Sequence, residues 1–243
     1  MEEVLEFFIS PYKHTPTIYI IIEFVAMAFG ILSVYFSKKA NILVYPTGLI
    51  STMLYVYLLS KWRMYGDLII NIYYTLMSIY GWWLWSRDVN PETHQLNHIS
   101  KCSKKDCLYT LLIFVFTSIF VITVYKYYEV MPKGMGIKES FLYVLEHVKT
   151  GSLAKIRKIT PYLDTFTTGA AFAAMWLMAN KKLESWILWI IVNIASVPLY
   201  FIKGYGFTGI QYFIFLVMAF YGYKEWKQML YQQNNKKLIQ KNP

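Results

Sequence analysis

Residues 17–36 read TIYIIIEFVAMAFGILSVYF, twenty positions in which Glu23 is the single charged group. A helix rises about 1.5 Å per residue, so this run covers about 30 Å, the thickness of bilayer hydrocarbon. Six more apolar stretches follow: Ile42 to Leu59, Tyr65 to Trp85, Leu108 to Tyr125, Thr165 to Asn180, Ser185 to Ile202 and Gly204 to Tyr223. Asp67 is the only other acidic residue within them. Backbone amides left unpaired in lipid are costly, and these runs are too long and continuous for barrel strands, so all seven read as helices. Pro46, Pro198 and the glycines inside them do not alter this, because membrane helices tolerate both residue types.

Composition agrees. The chain is 56% hydrophobic and 16% charged, whereas soluble domains carry about a quarter charged residues. Removing the seven stretches leaves nothing fit for a soluble domain. The opening Met1-Glu2-Glu3 lacks the basic start of a cleavable signal, so the first helix is expected to be retained.

The net charge of +10 comes from connectors and from the tail Lys224 to Lys241, which points to membrane topology rather than nucleic acid. With the C-terminus cytoplasmic and the N-terminus outside, short inner segments hold thirteen Lys and Arg, among them Lys38, Lys39, Arg87, Lys181 and Lys182. Outer ones hold four, Lys13, Lys61, Arg63 and Lys203. Basic residues concentrate on the cytoplasmic side, so N-out, C-in is expected. The long connector 129–163, with its basic run Lys155-Ile156-Arg157-Lys158, then lies outside.

A shift of 141 residues superposes Glu23 on Asp164, Tyr45 on Trp186, and Tyr80-Gly81-Trp82 on Tyr221-Gly222-Tyr223. With one residue of slip, Tyr65-Gly66 meets Tyr205-Gly206 and Asn71 meets Gln211. The expected fold is therefore an all-α polytopic membrane protein of seven transmembrane helices in a 3+1+3 arrangement. Its parts are an N-terminal extension (1–16), a first three-helix repeat (17–87), a linker region with helix four (88–163), a second repeat (164–226) and a basic cytoplasmic tail (227–243). An odd number of crossings between the repeats gives both the same orientation, and carriers built this way bind substrate between the repeats near the midplane.

Within Glu184 to Asn193, residues Trp186, Trp189 and Asn193 stand at i, i+3 and i+7, one narrow face of a helix. Two indoles one turn apart can clamp a flat heterocycle, and the amide can meet its polar edge. A cationic ring would gain about 0.5–2 kcal/mol per indole. The competing account is an aromatic belt beside Lys181 and Lys182, which suits Trp186 better than the deeper Trp189 and does not suit Asn193. Asn71 and Gln211 either tie helices together or line a cavity.

Glu23 and Asp164 sit near helix starts, where carboxylates complement the macrodipole and cap amides. Asp67 is expected to face water or a neighbouring subunit. Trp82, Trp83 and Trp85, ahead of Arg87, read as belt residues. Cys102 and Cys107, with His94 and His98 upstream, match no zinc spacing and read as two thiols in a solvated loop. No metal or cofactor is expected.

These stretches resemble the PnuC-type nicotinamide riboside transporters. The resemblance rests on Ile79-Tyr80-Gly81-Trp82-Trp83-Leu84-Trp85-Ser86-Arg87, on Glu184 to Asn193 with its W-x-x-W, on Tyr212, and on the 22-residue spacings from Glu23 to Tyr45 and from Asp164 to Trp186. It implies a fold similar to the SWEET sugar transporters, a homotrimer in the inner membrane, and facilitated diffusion of nicotinamide riboside trapped by cytosolic phosphorylation. It also makes Trp186, Trp189 and Asn193 the binding motif. Asn71 stands where the family pattern has Gln, and Ser78 where it has Asn, and both changes alter which substrate edges are satisfied. Thiamine, carried by relatives of the family, is the alternative substrate.

Two other classes compete. A membrane enzyme needs clustered Asp, Glu or His, whereas His14, His94, His98 and His147 all fall outside the apolar stretches. A purely structural subunit leaves the polar groups at membrane depth without a purpose.

Overall fold

The computed structural model describes residues 2–241 apart from 14, 63, 64, 95, 97, 133 and 150. His14 and Arg63, used in the readings above, lie outside the described residues. A short helix α1 (Glu2–Ile9) and a 3-10 turn (Ser10–Tyr12) precede α2 (Thr17–Lys38), α3 (Val44–Lys61), α4 (Tyr65–Ser86) and α5 (Lys104–Tyr127). Then follow α6 (Ile137–Lys149), α7 (Leu153–Arg157), α8 (Thr160–Ala179), α9 (Ser185–Lys203) and α10 (Gly206–Lys241). Four of these, α2, α5, α9 and α10 as far as Asn235, are long and apolar enough to cross a membrane. The tail expected to begin at 227 is the continuation of α10.

Helix contacts run α2 to α3, α3 to α4, α4 to α8, α8 to α9, α9 to α10, and α10 back to α2, closing a ring of six with α5 against α8. Small residues explain why α8 can be so enclosed. It buries Gly169, Ala170, Ala171, Ala173 and Ala174, and a Cβ on Gly169 would lie 2.7 Å from Ser118 Oγ of α5.

The two halves of the ring keep one register. α2 and α8 end at Lys38 and Ala179, α3 and α9 begin at Val44 and Ser185, and α4 and α10 begin at Tyr65 and Gly206. The non-glycine residues Ala40 and Lys181 both take positive φ, 51° and 60°, in the intervening turns. Each of these pairs is 141 positions apart. The one-residue slip inferred for the third helices is therefore not present: Asn71 corresponds to Tyr212, and Gln211 to Ile70.

The segment between α4 and α5 is largely exposed, and it is also a strap tied to both halves. Leu96 N–H donates to Ala40 O (2.9 Å) and Ile42 N–H to His94 O (2.9 Å) on the first half. Ser100 N–H donates to Lys181 O (3.1 Å) and Leu183 N–H to Ser100 O (3.0 Å) on the second. Leu96 and Ile99 sink into a core with Tyr45, Trp85, Trp186 and Trp226. Ion pairs Lys181–Asp88 (2.7 Å) and Lys182–Asp106 (3.0 Å) flank the strap, and Glu225 meets Lys38 at 3.4 Å and Lys39 at 3.3 Å. Cys102 and Cys107 carry free thiols.

Two further expectations change. Trp85 is fully buried and donates its indole N–H to Ala179 O (3.1 Å), so it is not a belt residue. Trp83 does behave as one, 51% exposed with the Arg87 guanidinium 3.7 Å from its ring centroid. Neither Glu23 nor Asp164 caps its helix: no side-chain cap bond forms at the start of α2 or α8. Both carboxylates lie farther along and turn inward.

Candidate functional site

The six-helix ring encloses a cavity of about 740 Å³, within the size range of small-molecule sites. Toward the end bearing α1 it is lined by Pro11, Tyr12, Thr15, Trp62 and Tyr205, and toward the strap by Val44, Tyr45, Met178, Trp186 and Ala219, which belong to or pack on the buried core there.

All seven residues singled out in the sequence line this one cavity: Asn71, Ser78, Trp186, Trp189, Asn193, Gln211 and Tyr212. Trp186 and Asn193 are 1% and 3% exposed, and Trp189, one turn above Trp186, is half-buried. The benzo edge of Trp186 packs on the bare backbone of Gly222, where a Cβ would approach to 2.6 Å, and the ring meets Trp226 edge-on at 5.8 Å. Tyr45, its counterpart in the first half, lies on Gly81 in the same way and meets Trp85 edge-on at 5.0 Å. The Trp186 indole N–H and the Tyr45 hydroxyl are buried without a hydrogen-bond partner among the described residues. A donor in that state costs about 1–3 kcal/mol unless something supplies an acceptor.

The other site residues have protein contacts as well. Asn71 Nδ2 donates to Asp67 O (2.9 Å). Tyr212 stacks on Tyr200 at 4.8 Å and 13°. Gln211 reaches over Gly30, where a Cβ would stand 3.3 Å from Nε2, and hydrogen-bonds Tyr55. Ser78 faces Gly48, whose absent side chain leaves room between α3 and α2.

The two halves line the cavity differently. At the 141-residue offset, Trp189 corresponds to Gly48 and Asn193 to Thr52, and all four line the cavity. One wall thus carries the indole and the amide while the opposite wall supplies space and hydroxyls. Ser33 Oγ and Ser51 Oγ donate to Val44 O (2.8 Å) and Ala26 O (2.7 Å), which holds α2 and α3 close.

Sequence reasoning missed the charged part of the wall. Glu23, Asp67, Asp164 and Lys203 all line the cavity. Asp67 therefore turns toward the cavity rather than toward a second subunit. Lys203 Nζ is 2.6 Å from Asp164 Oδ1, and the Glu23 carboxylate accepts from the Tyr12 hydroxyl (3.1 Å). The signal was present for Glu23, since a lone carboxylate amid an apolar run is functional by default.

A family model described as nicotinamide mononucleotide transporter matches residues 20–228. The chain is 24% identical over 213 residues to the nicotinamide riboside transporter PnuC of Escherichia coli, covering 84% of each chain. It is 26% identical over 219 residues to PnuC of Neisseria mucosa, covering 85% of this chain and 72% of that one. The crystal structure of the vitamin B3 transporter PnuC has a similar fold, with a TM-score of 0.61 at 21% identity over 87% of this chain and 83% of that one. Because the matched residues run from α2 into α10 and take in all six ring helices and most of the cavity wall, the chain belongs to the nicotinamide mononucleotide transporter family.

Proposed function

We propose that this protein is a membrane transporter that carries nicotinamide riboside through the ring cavity by facilitated diffusion. The observation that carries the reading is the convergence of Trp186, Trp189, Asn193, Asn71, Gln211, Tyr212 and Ser78 on a single cavity in a chain of this family. Trp186 and Trp189 take the faces of the pyridinium ring, the Asn193 amide takes its carboxamide, and the hydroxyl-lined wall of α3 and α4 takes the ribose. The riboside fits better than the mononucleotide. Among the described residues the wall offers one ammonium, Lys203, and Asp164 already holds it, so a phosphate dianion would enter a cavity with more carboxylates than cations.

All six ring helices and α5 cross the inner membrane in a 3+1+3 parallel arrangement similar to the SWEET carriers. The equal register of the two halves supports this, as does the basic strap face, which suits a cytoplasmic side with the N-terminus outside. The α1 end of the cavity then faces the outside. Three copies assemble as a trimer, each with its own pathway, and cytosolic phosphorylation traps the vitamin. The protein acts as a carrier and not as an enzyme. Asn71 and Ser78 keep thiamine as the second substrate, because a shorter amide and a hydroxyl change which ligand edges are paired.

Vesicles containing the purified protein should take up labelled nicotinamide riboside without ATP and with ion gradients collapsed. Saturable thiamine uptake with none of the riboside would transfer the assignment to thiamine. Uptake of neither would refute it.

A further inference from the structure

We infer that Glu23 is the residue that makes this carrier prefer a cationic ligand, and that Tyr12 positions it. The inference rests on the proposed function, whose substrate carries a permanent positive charge on its ring.

Glu23 lies six residues into α2, 9% exposed and on the cavity wall. A carboxylate this enclosed normally has a cation beside it. Among the described residues Glu23 has none: its hydrogen-bond partner is the neutral phenol of Tyr12 (3.1 Å). The charged groups of the described wall are Glu23, Asp67, Asp164 and Lys203. Lys203 is bound to Asp164 at 2.6 Å and lies over the Tyr200 ring, and Asp67 shares the field of that same pair. Lys13, next to Tyr12, is engaged by Glu6. Nothing cationic in the described cavity answers Glu23, whereas a cation arriving as ligand would. Tyr12, Tyr55, Tyr200 and Tyr212 on the same wall offer ring faces that favour a cation in transit.

Tyr12 is held by packing as well as by its hydrogen bond. Its ring contacts Phe24 (6.5 Å) and Phe207 (5.9 Å), and Phe7 and Phe8 of α1 anchor the segment on Phe201 and Phe207. Gly206 permits this, since a Cβ there would stand 2.4 Å from the Phe8 ring. Tyr12 precedes the residues matched by the family model, so this positioning is a property of the chain itself. A phenol that donates to the carboxylate fixes its direction without neutralising it.

Charge and shape are separable with a pair of ligands: nicotinamide riboside, and its 1,4-dihydro form, which has nearly the same outline but no charge. Calorimetric titration of the full-length purified protein should show the cation bound about tenfold or more tighter than the neutral form. Glu23→Gln should weaken the cation and leave the neutral ligand within about threefold, so that the preference disappears. Tyr12→Phe should reduce the preference while leaving the affinity for the neutral form unchanged, which a merely structural role would not do. Equal affinities in the unsubstituted protein would overturn the inference without any variant. So would a preference that survives Glu23→Gln. Binding of neither ligand would instead remove the proposed substrate, and this inference with it.

Discussion

Trp85 and Trp226 stand 141 positions apart, and each donates its indole N–H to the end of the first helix of the opposite half: Trp85 to Ala179 O (3.1 Å) and Trp226 to Ser37 O (2.9 Å). Both rings are fully buried, 6.0 Å apart. The strap-side end of the ring is thus held by a reciprocal pair. Trp85→Phe removes the donor to the Ala179 carbonyl and should cost about 1–3 kcal/mol, whereas Trp226→Phe should cost less, because Ser37 O keeps its bond from the Ala40 N–H (2.9 Å). Because the rings share one core, the double variant should depart from additivity by about 0.5 kcal/mol or more. Thermal unfolding of the four proteins in the cycle checks both figures.

Trp189→Ala should weaken ligand binding about tenfold or more with little loss of stability, because the side chain faces the cavity and is only half-buried. Trp186→Ala should lose both, since it empties a core position as well as the clamp. Fluorescence titration alongside thermal unfolding separates the two effects.

The glycines under the two rings should be separable too. An alanine Cβ would reach 2.4 Å from the Tyr45 ring at Gly81 and 2.6 Å from the Trp186 ring at Gly222, so either substitution should destabilise by about 1–3 kcal/mol. Gly222→Ala should in addition lower ligand affinity, by pushing Trp186, while Gly81→Ala should spare it.

Acid should loosen the strap at one point. Burial acts to raise the Asp88 carboxyl, but hydrogen bonds from His98 and Lys181 outweigh it and hold the group below its usual range. A carboxylate depressed in the folded state stabilises above its unfolded value of about 3.9, and that contribution is lost as pH falls through the folded value. The Leu96 and Ser100 amides should therefore stay protected from hydrogen exchange between about pH 5 and 8 and lose protection below about pH 4. In Asp88→Asn this step should vanish.

Cys102 should serve as a reporter of the same region. Burial and the adjacent Glu184 carboxylate push its thiol up to about 12, leaving almost no thiolate at neutral pH. In a Cys107→Ser background, maleimide should label Cys102 slowly at pH 7.5, and faster when Asp88→Asn loosens the strap.

The helices and the cavity-lining face of α9 were legible because both follow from periodicity: seven apolar runs set the elements, and i, i+3, i+7 put Trp186, Trp189 and Asn193 on one side. The 141-residue shift was legible in Tyr45, Trp186, Gly81 and Gly222, and it also relates Trp85 to Trp226. The belt reading hid that relation, because a tryptophan beside an interfacial arginine looks the same whether it points to lipid or inward. The turn of Asp67 toward the cavity and the ties of the strap were missed for another reason. Which way a helix turns its carboxylate, and whether a polar segment hydrogen-bonds to two distant hairpins, depends on contacts between residues far apart in the chain, about which local pattern is silent. The slip assigned to Asn71 and Gln211 came from matching polar letters, whereas the backbone keeps its offset and lets the side chains differ.

The strap also sets a mechanical limit. It is fastened to one half through Leu96 and to the other through Ser100, leaving three residues, or four Cα-to-Cα steps, to bridge any separation. A fully extended chain covers no more than about 3.6 Å per residue, so the leash runs out at about 14 Å. The two points of attachment cannot separate beyond that distance, and there the backbone itself is the stop. A longer strap would raise this limit without touching a single residue that lines the cavity.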